Sequence, residues 1–151
     1  MLPIKDDQPR YSTPFINTFL IVLNIAIFFF EATLDPQSYE LLARQFGEVP
    51  AHLAAFLAGS PQYTLPQVAI PFFTSMFLHA GLLHIAFNAY ALWIFGTVVE
   101  QELGSLRLLL IYFSTGLVAS AASYAFGPLT VPAVGASGAI FGIFGAFVTY
   151  N

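Results

Sequence analysis

The sequence has no cysteine among its 151 residues, which removes disulfides, thiolate metal sites and cysteine nucleophiles together. Charge is almost as scarce. Lys and Arg total 4 and Asp and Glu 8, so charged residues make up 8% of the chain, against about 25% in an average soluble domain. A soluble domain with so few charges would expose large apolar patches, and disorder is excluded more firmly still. A net charge of -4 leaves no basic surface for phosphate backbones, so nucleic acid is not a partner. Histidine is limited to His52, His79 and His84, with no HExxH or similar ligand spacing, which gives a zinc hydrolase no support. Whatever chemistry the chain performs rests on hydroxyls, amides and three imidazoles.

What the chain does have is apolar length. Hydrophobic residues are 58% of it, and the solvent they suit is a bilayer. Residues 14–34 form an apolar run of about 20 residues, enough at roughly 1.5 Å per residue to cross a hydrocarbon core of about 30 Å. A signal peptide would have a shorter core and a small-residue cleavage site; here three phenylalanines lead into Glu31, so the reading is a retained span. Further runs cover 81–99, 106–126 and 137–151. The last reaches only about 22 Å and reads as part of a helix cut by the end of the sequence. Residues 1–13 read as a cytoplasmic tail, and 14–151 as one membrane unit. Between the first two spans, 35–71 is a long proline-punctuated connector whose stretches 39–46 and 51–57 suit interfacial helices. Lys5, Arg10 and Arg107 fall on one side and Arg44 on the other, which predicts a cytoplasmic N-terminus. The expected class is all-α, a polytopic helical membrane protein.

Polar residues at membrane depth need partners or a purpose. His84 and Asn88 are four apart and share a helical face, with His79 just upstream. They serve either as interhelical hydrogen-bonding groups or as N–H donors aimed at an oxygen where negative charge develops. Gly135-Ala136-Ser137-Gly138, followed by Gly142 and Gly145, offers the same choice. Ser137 is a helix cap beside a GxxxG packing seam, or a nucleophile at the mouth of a helix. Glu31, the only acid within a span, reads as a solvated flank at its end. With no buried acid expected, serine chemistry here would use two residues rather than a triad.

The HxxxxHxxxN block, the V-V-E-x-x-L-G segment at 98–104 and GxSGxxxG some way beyond them resemble, in order and spacing, the rhomboid intramembrane serine proteases over about 66–150. The stretch 72–79 is similar to the lead into that family's second helix, whereas the Trp-Arg pair common in its long loop is missing. The resemblance implies a six-helix core, of which about four helices fall in these 151 residues. It makes Ser137 the nucleophile, with His84 and Asn88 donating to the oxyanion alongside the Ser137 N–H. His79 would support the local network, and Gly135 and Gly138 would keep the backbone close to substrate. Glu100 matches a structural acid, and Glu102 stands where an arginine is common. The family's base is a histidine on its sixth helix, expected beyond residue 151, so residues 1–151 alone are expected to be inactive. Substrates would be transmembrane helices of other proteins in the bilayer, with no metal or organic cofactor. The rivals are an inactive rhomboid-like protein that binds transmembrane clients, and a channel or transporter half, which would show more intramembrane charge or a symmetric repeat.

Overall fold

The computed structural model describes residues 13–150; the tail with Lys5 and Arg10 lies outside them. The architecture is helical, in line with the all-α expectation. Helix α1 is Phe15–Glu31. The connector folds into α2 (Pro36–Phe46), α3 (Pro50–Leu57), α4 (Leu65–Ala69) and α5 (Pro71–Thr74), the last running into a 3₁₀ turn at Ser75–Phe77. Next come α6 (Leu82–Ala91), a π-helical segment (Leu92–Gly96) and α7 (Thr97–Leu103), which together make one continuous rod. Helices α8 (Ser105–Phe126) and α9 (Ser137–Tyr150) complete the fold.

The connector prolines start helices rather than merely breaking the chain. Pro36, Pro50, Pro66 and Pro71 each stand in a first helical turn, where the missing N–H is no loss and the fixed φ already suits the helix. Asp35 caps α2 by accepting from the Gln37 and Ser38 N–H groups at 3.0 and 3.2 Å. Gly104, with φ +85°, makes the reversal from α7 to α8.

The π segment has an identifiable cause. A Cβ at Gly96 would fall onto the Asn17 side chain, so α1 sits directly against this point of the rod. Asn17 Nδ2 donates to the Leu92 carbonyl at 2.8 Å and to Thr97 Oγ1 at 3.2 Å. An inserted side chain that takes over a helix carbonyl is one of the established ways to widen a turn.

Leu20, Met76, Leu92, Leu108, Tyr112, Ala139 and Ile143 lie in one buried cluster where α1, the rod, α8 and α9 meet. The outward faces are apolar too, with Phe15, Phe19, Leu83, Phe87, Leu106, Val118 and Phe141 all more than half exposed, the arrangement a lipid-facing bundle requires. Leu82–Leu103 and Ser105–Phe126, 22 residues each, are long and apolar enough to cross a membrane.

Helices α8 and α9 pack through missing side chains. Cβ atoms at Gly138 and Gly142 would meet Ala119 and Thr115 of α8, and Thr115 Oγ1 donates across to the Ala139 carbonyl at 3.1 Å. The GxxxG seam is therefore a close helix–helix contact.

Two expectations about acids are overturned. Glu31 is 3% exposed, not a solvated flank, because it turns inward to accept the His79 N–H at 3.1 and 3.2 Å. Nor is the interior free of acids, since Glu48 and Glu100 are equally buried. Each of these carboxyls meets backbone from a distant part of the chain, a pairing that no local pattern announces.

Candidate active site

The site is assembled from the connector, the turn before α6, and the loop 127–136 that leads into α9. The connector pins that loop. Glu48 and Ala133 exchange backbone hydrogen bonds of 3.0 and 2.7 Å, and the Ala51 N–H donates to the Leu129 carbonyl at 2.8 Å. From the other side the Gly135 N–H donates to the Ser75 carbonyl at 2.8 Å. Gly135 has φ +122°, a conformation that glycine adopts without strain. A Cβ there would fall onto the His84 ring, so the glycine answers two demands at once.

His79 is buried, with the Glu31 carboxylate on its N–H and the Tyr39 hydroxyl on its carbonyl at 3.3 Å. Its Nδ1 faces the Phe77 carbonyl at 3.2 Å. A carbonyl only accepts, so Nδ1 carries the proton and Nε2, which has no partner, is a bare acceptor. Burial, aided by the neighbouring His84, pushes the His79 pKa down to about 4. The His79 and His84 rings meet edge-on with centroids 5.1 Å apart. His79, His84 and Gly135 thus form one stack.

Ser137, the first residue of α9, is exposed and forms the shared wall of two cavities. One, of about 390 Å³, is apolar except for Asn88 and Ser137 itself, with Tyr90 at its edge. Asn88 is 6% exposed and its Nδ2 has no hydrogen-bond partner. Two amide protons are therefore held in a buried place with nothing to receive them, a costly arrangement without a further purpose. The other cavity, of about 220 Å³, is lined by Ser75, Ser120, Ser123, Ser137 and Glu48 among small residues. Glu48 is 3% exposed, bonds Ser120 through its side chain, and leaves Oε1 without a partner. Burial pushes its pKa up to about 7 against the opposing effect of that hydrogen bond.

The structure thus brings Ser137, Asn88, His84, His79 and Gly135 into one region, while Gly138 also serves the α8 contact. His52 is elsewhere, stacked on Tyr63 with ring centroids 4.7 Å apart. Glu48 and Ser120 were missed from sequence. The available signal was an acid in the otherwise apolar stretch Phe46-Gly47-Glu48-Val49-Pro50. Among the described residues no group of His, Asp or Glu could hold a metal ion.

Comparison with known proteins gives a consistent picture. A family model described as "Rhomboid domain" matches residues 66–151, more than half of the chain. The chain is similar to "Rhomboid protease GluP" of Bacillus subtilis, 52% identical over 75 residues, covering 50% of this chain and 14% of that protein. It is similar to "Rhomboid-like protein 11, chloroplastic" of Arabidopsis thaliana, 44% identical over 73 residues, covering 48% of this chain and 26% of that one. It also resembles "Inactive RHOMBOID-like protein 8" of the same plant, 36% identical over 76 residues, covering 50% and 21%. The matched stretch is thus well under half the length of each of these relatives.

Proposed function

The chain belongs to the rhomboid family, and on that premise we propose that it supplies the nucleophile and the oxyanion donors of an intramembrane serine endopeptidase. The family and the long apolar helices make it an integral membrane protein. The observation that carries the proposal is the cavity shared by Ser137 and Asn88, in which the Asn88 amide protons are buried and unpartnered.

In this reading Ser137 Oγ attacks the scissile carbonyl carbon and its proton passes to a base. The carbonyl oxygen becomes an oxyanion that accepts from Asn88 Nδ2–H, the His84 ring and the Ser137 backbone N–H at the start of α9. A low-dielectric surround strengthens these bonds, since no water competes for the charge. The C–N bond then breaks, the departing amine takes the proton from the base, and water later hydrolyses the acyl-serine.

None of the described histidines fills the base role: His52 is distant, while His79 and His84 stand on the oxyanion side. The base is then a histidine outside these 151 residues, and residues 1–151 alone are inactive, because a serine hydroxyl at its ordinary pKa is a weak nucleophile. The mechanism uses a dyad. Glu31 and Glu100 are buried but bonded to the His79 N–H and to the start of α1, so neither is available to orient a base. The N-terminus lies in the cytoplasm, and the substrate is a transmembrane helix of another protein. Such a helix must unwind before its carbonyl can be reached, which favours substrates with helix-destabilising residues near the cut.

The test is labelling of the full-length protein by a serine-directed fluorophosphonate, comparing wild type with Ser137→Ala. Labelling lost in the variant is the expected result. Equal labelling of both rules Ser137 out and leaves the client-binding, non-enzymatic reading in its place.

A further inference from the structure

Ser137 divides two cavities that differ in chemistry, and the division assigns a direction to anything bound there. The cavity on the α6 side carries the unpartnered donor, Asn88 Nδ2. The cavity on the α8 side carries the unpartnered acceptor, Glu48 Oε1. If the carbonyl under attack points its oxygen at Asn88, the side chain of the same substrate residue turns to the other flank of Ser137, where Glu48 waits.

That second cavity suits a side chain. Its walls include Gly116, Ala119, Ala133 and Gly138, which leave the centre open. Its volume of about 220 Å³ is several times the roughly 30 Å³ share of one liquid water. Among the described residues nothing neutralises Glu48. Arg44 is paired with Glu40 at 2.9 Å, and Arg107 reaches only the Leu103 carbonyl, at 3.4 Å. A carboxyl that is 3% exposed, with one oxygen unmet, is expensive to maintain unless a partner arrives to meet it. A cation entering the cavity would meet that oxygen with a charge-assisted hydrogen bond, about twice as strong as a neutral one.

We propose that Glu48 is a specificity-determining residue that receives the side chain of the substrate residue contributing the scissile carbonyl, and that it selects lysine or arginine there. The inference rests on the nucleophilic role of Ser137 proposed above and adds the class of substrate residue to it. A site built around a polar group that needs its partner discriminates strongly against an apolar isostere, because the isostere leaves the buried group unmet.

The experiment uses the full-length protein in proteoliposomes with one transmembrane substrate whose residue before the cut is Lys, Gln, Met or Ala, reading kcat/KM. The expected result is Lys above Met by about 10-fold or more, with the ratio falling to about one in Glu48→Gln. In Glu48→Asp, which keeps the charge, Lys stays above Met. A wild type that cleaves Met as well as Lys overturns the proposal and leaves the cavity to water. It is equally overturned by a ratio that survives in Glu48→Gln, by uniform loss across the series with the ratio unchanged, or by loss of the preference in Glu48→Asp. Ser137→Ala serves as the separating control. Cleavage that persists in that variant defeats the nucleophile assignment itself, whereas abolished cleavage combined with a flat wild-type series defeats only the role of Glu48.

Discussion

Glu48 and Glu100 are both buried glutamates, 3% and 2% exposed, yet they are held in opposite ways. Glu100 is saturated. Its carboxylate accepts from the Ile16 and Asn17 N–H groups at 3.0 and 2.7 Å and from Ser105 Oγ at 2.6 Å. It stands in for the side-chain cap that α1 lacks at Pro14 and ties the start of α1 to the turn between α7 and α8. Glu48 bonds Ser120 and leaves one oxygen facing a cavity. The same side chain at similar burial is structural where its lone pairs are filled and free to act on a ligand where they are not. Asn88 and His79 Nε2, both unpartnered, fall on the Glu48 side of this division.

The largest expected effect breaks the comparison directly. Glu100→Leu leaves two helix-terminal N–H groups and a serine hydroxyl without their acceptor, and should lower unfolding stability by about 3–5 kcal/mol. Glu48→Leu removes an acid that is mostly unmet and should change stability by less than about 1 kcal/mol. Denaturant titration of the two variants in the same detergent checks this, and equal losses would erase the distinction.

Next in size is the donor on the active side. Asn88→Ala in the full-length protein should reduce kcat by about 100-fold while leaving the thermal midpoint nearly unmoved, because no hydrogen bond within the described chain is lost. Unchanged turnover of a model transmembrane substrate would return Asn88 to a packing role.

The smallest effect is in pH dependence, where Glu48 and His79 oppose each other. Glu48 has a folded pKa raised from 4.5 to about 7. The folded state therefore holds an extra proton in that window, and the contribution is present at low pH and lost as pH rises toward 7. His79 has a folded pKa lowered from 6.5 to about 4. The unfolded state holds the extra proton, so its contribution is present above 6.5 and lost as pH falls toward 4. The two slopes, each at most about 1.4 kcal/mol per pH unit, nearly cancel in the wild type. Relative to wild type, Glu48→Gln should become more stable as pH rises from 4.5 to 7, and His79→Gln more stable as pH falls from 6.5 to 4. Unfolding curves of the three proteins across pH 4–7 would show parallel profiles if neither group is perturbed.

Much of the site was legible because it is written locally. The i,i+4 spacing of His84 and Asn88 sets both on one helical face whatever surrounds them, and a serine preceded by Gly135 and followed by an apolar run announces a helix start. The π segment was not legible, because its cause is Asn17, 75 residues away from the Leu92 carbonyl that it bonds. Glu31 was misread as solvated for the same reason: its partner, the His79 N–H, is 48 residues on.

The sequence by itself determined that the chain is apolar enough for a bilayer, is helical, and carries a serine, an imidazole and an amide in rhomboid order. These follow from composition and short-range periodicity, which act through the solvent and through the first few neighbours along the chain. The tertiary structure alone decided which polar groups are satisfied. Whether a buried carboxyl is bonded or left open depends on backbone brought from 48 to 84 residues away. That is why Glu100 became a clasp for α1 while Glu48 was set, with one oxygen unmet, in the cavity beside Ser137.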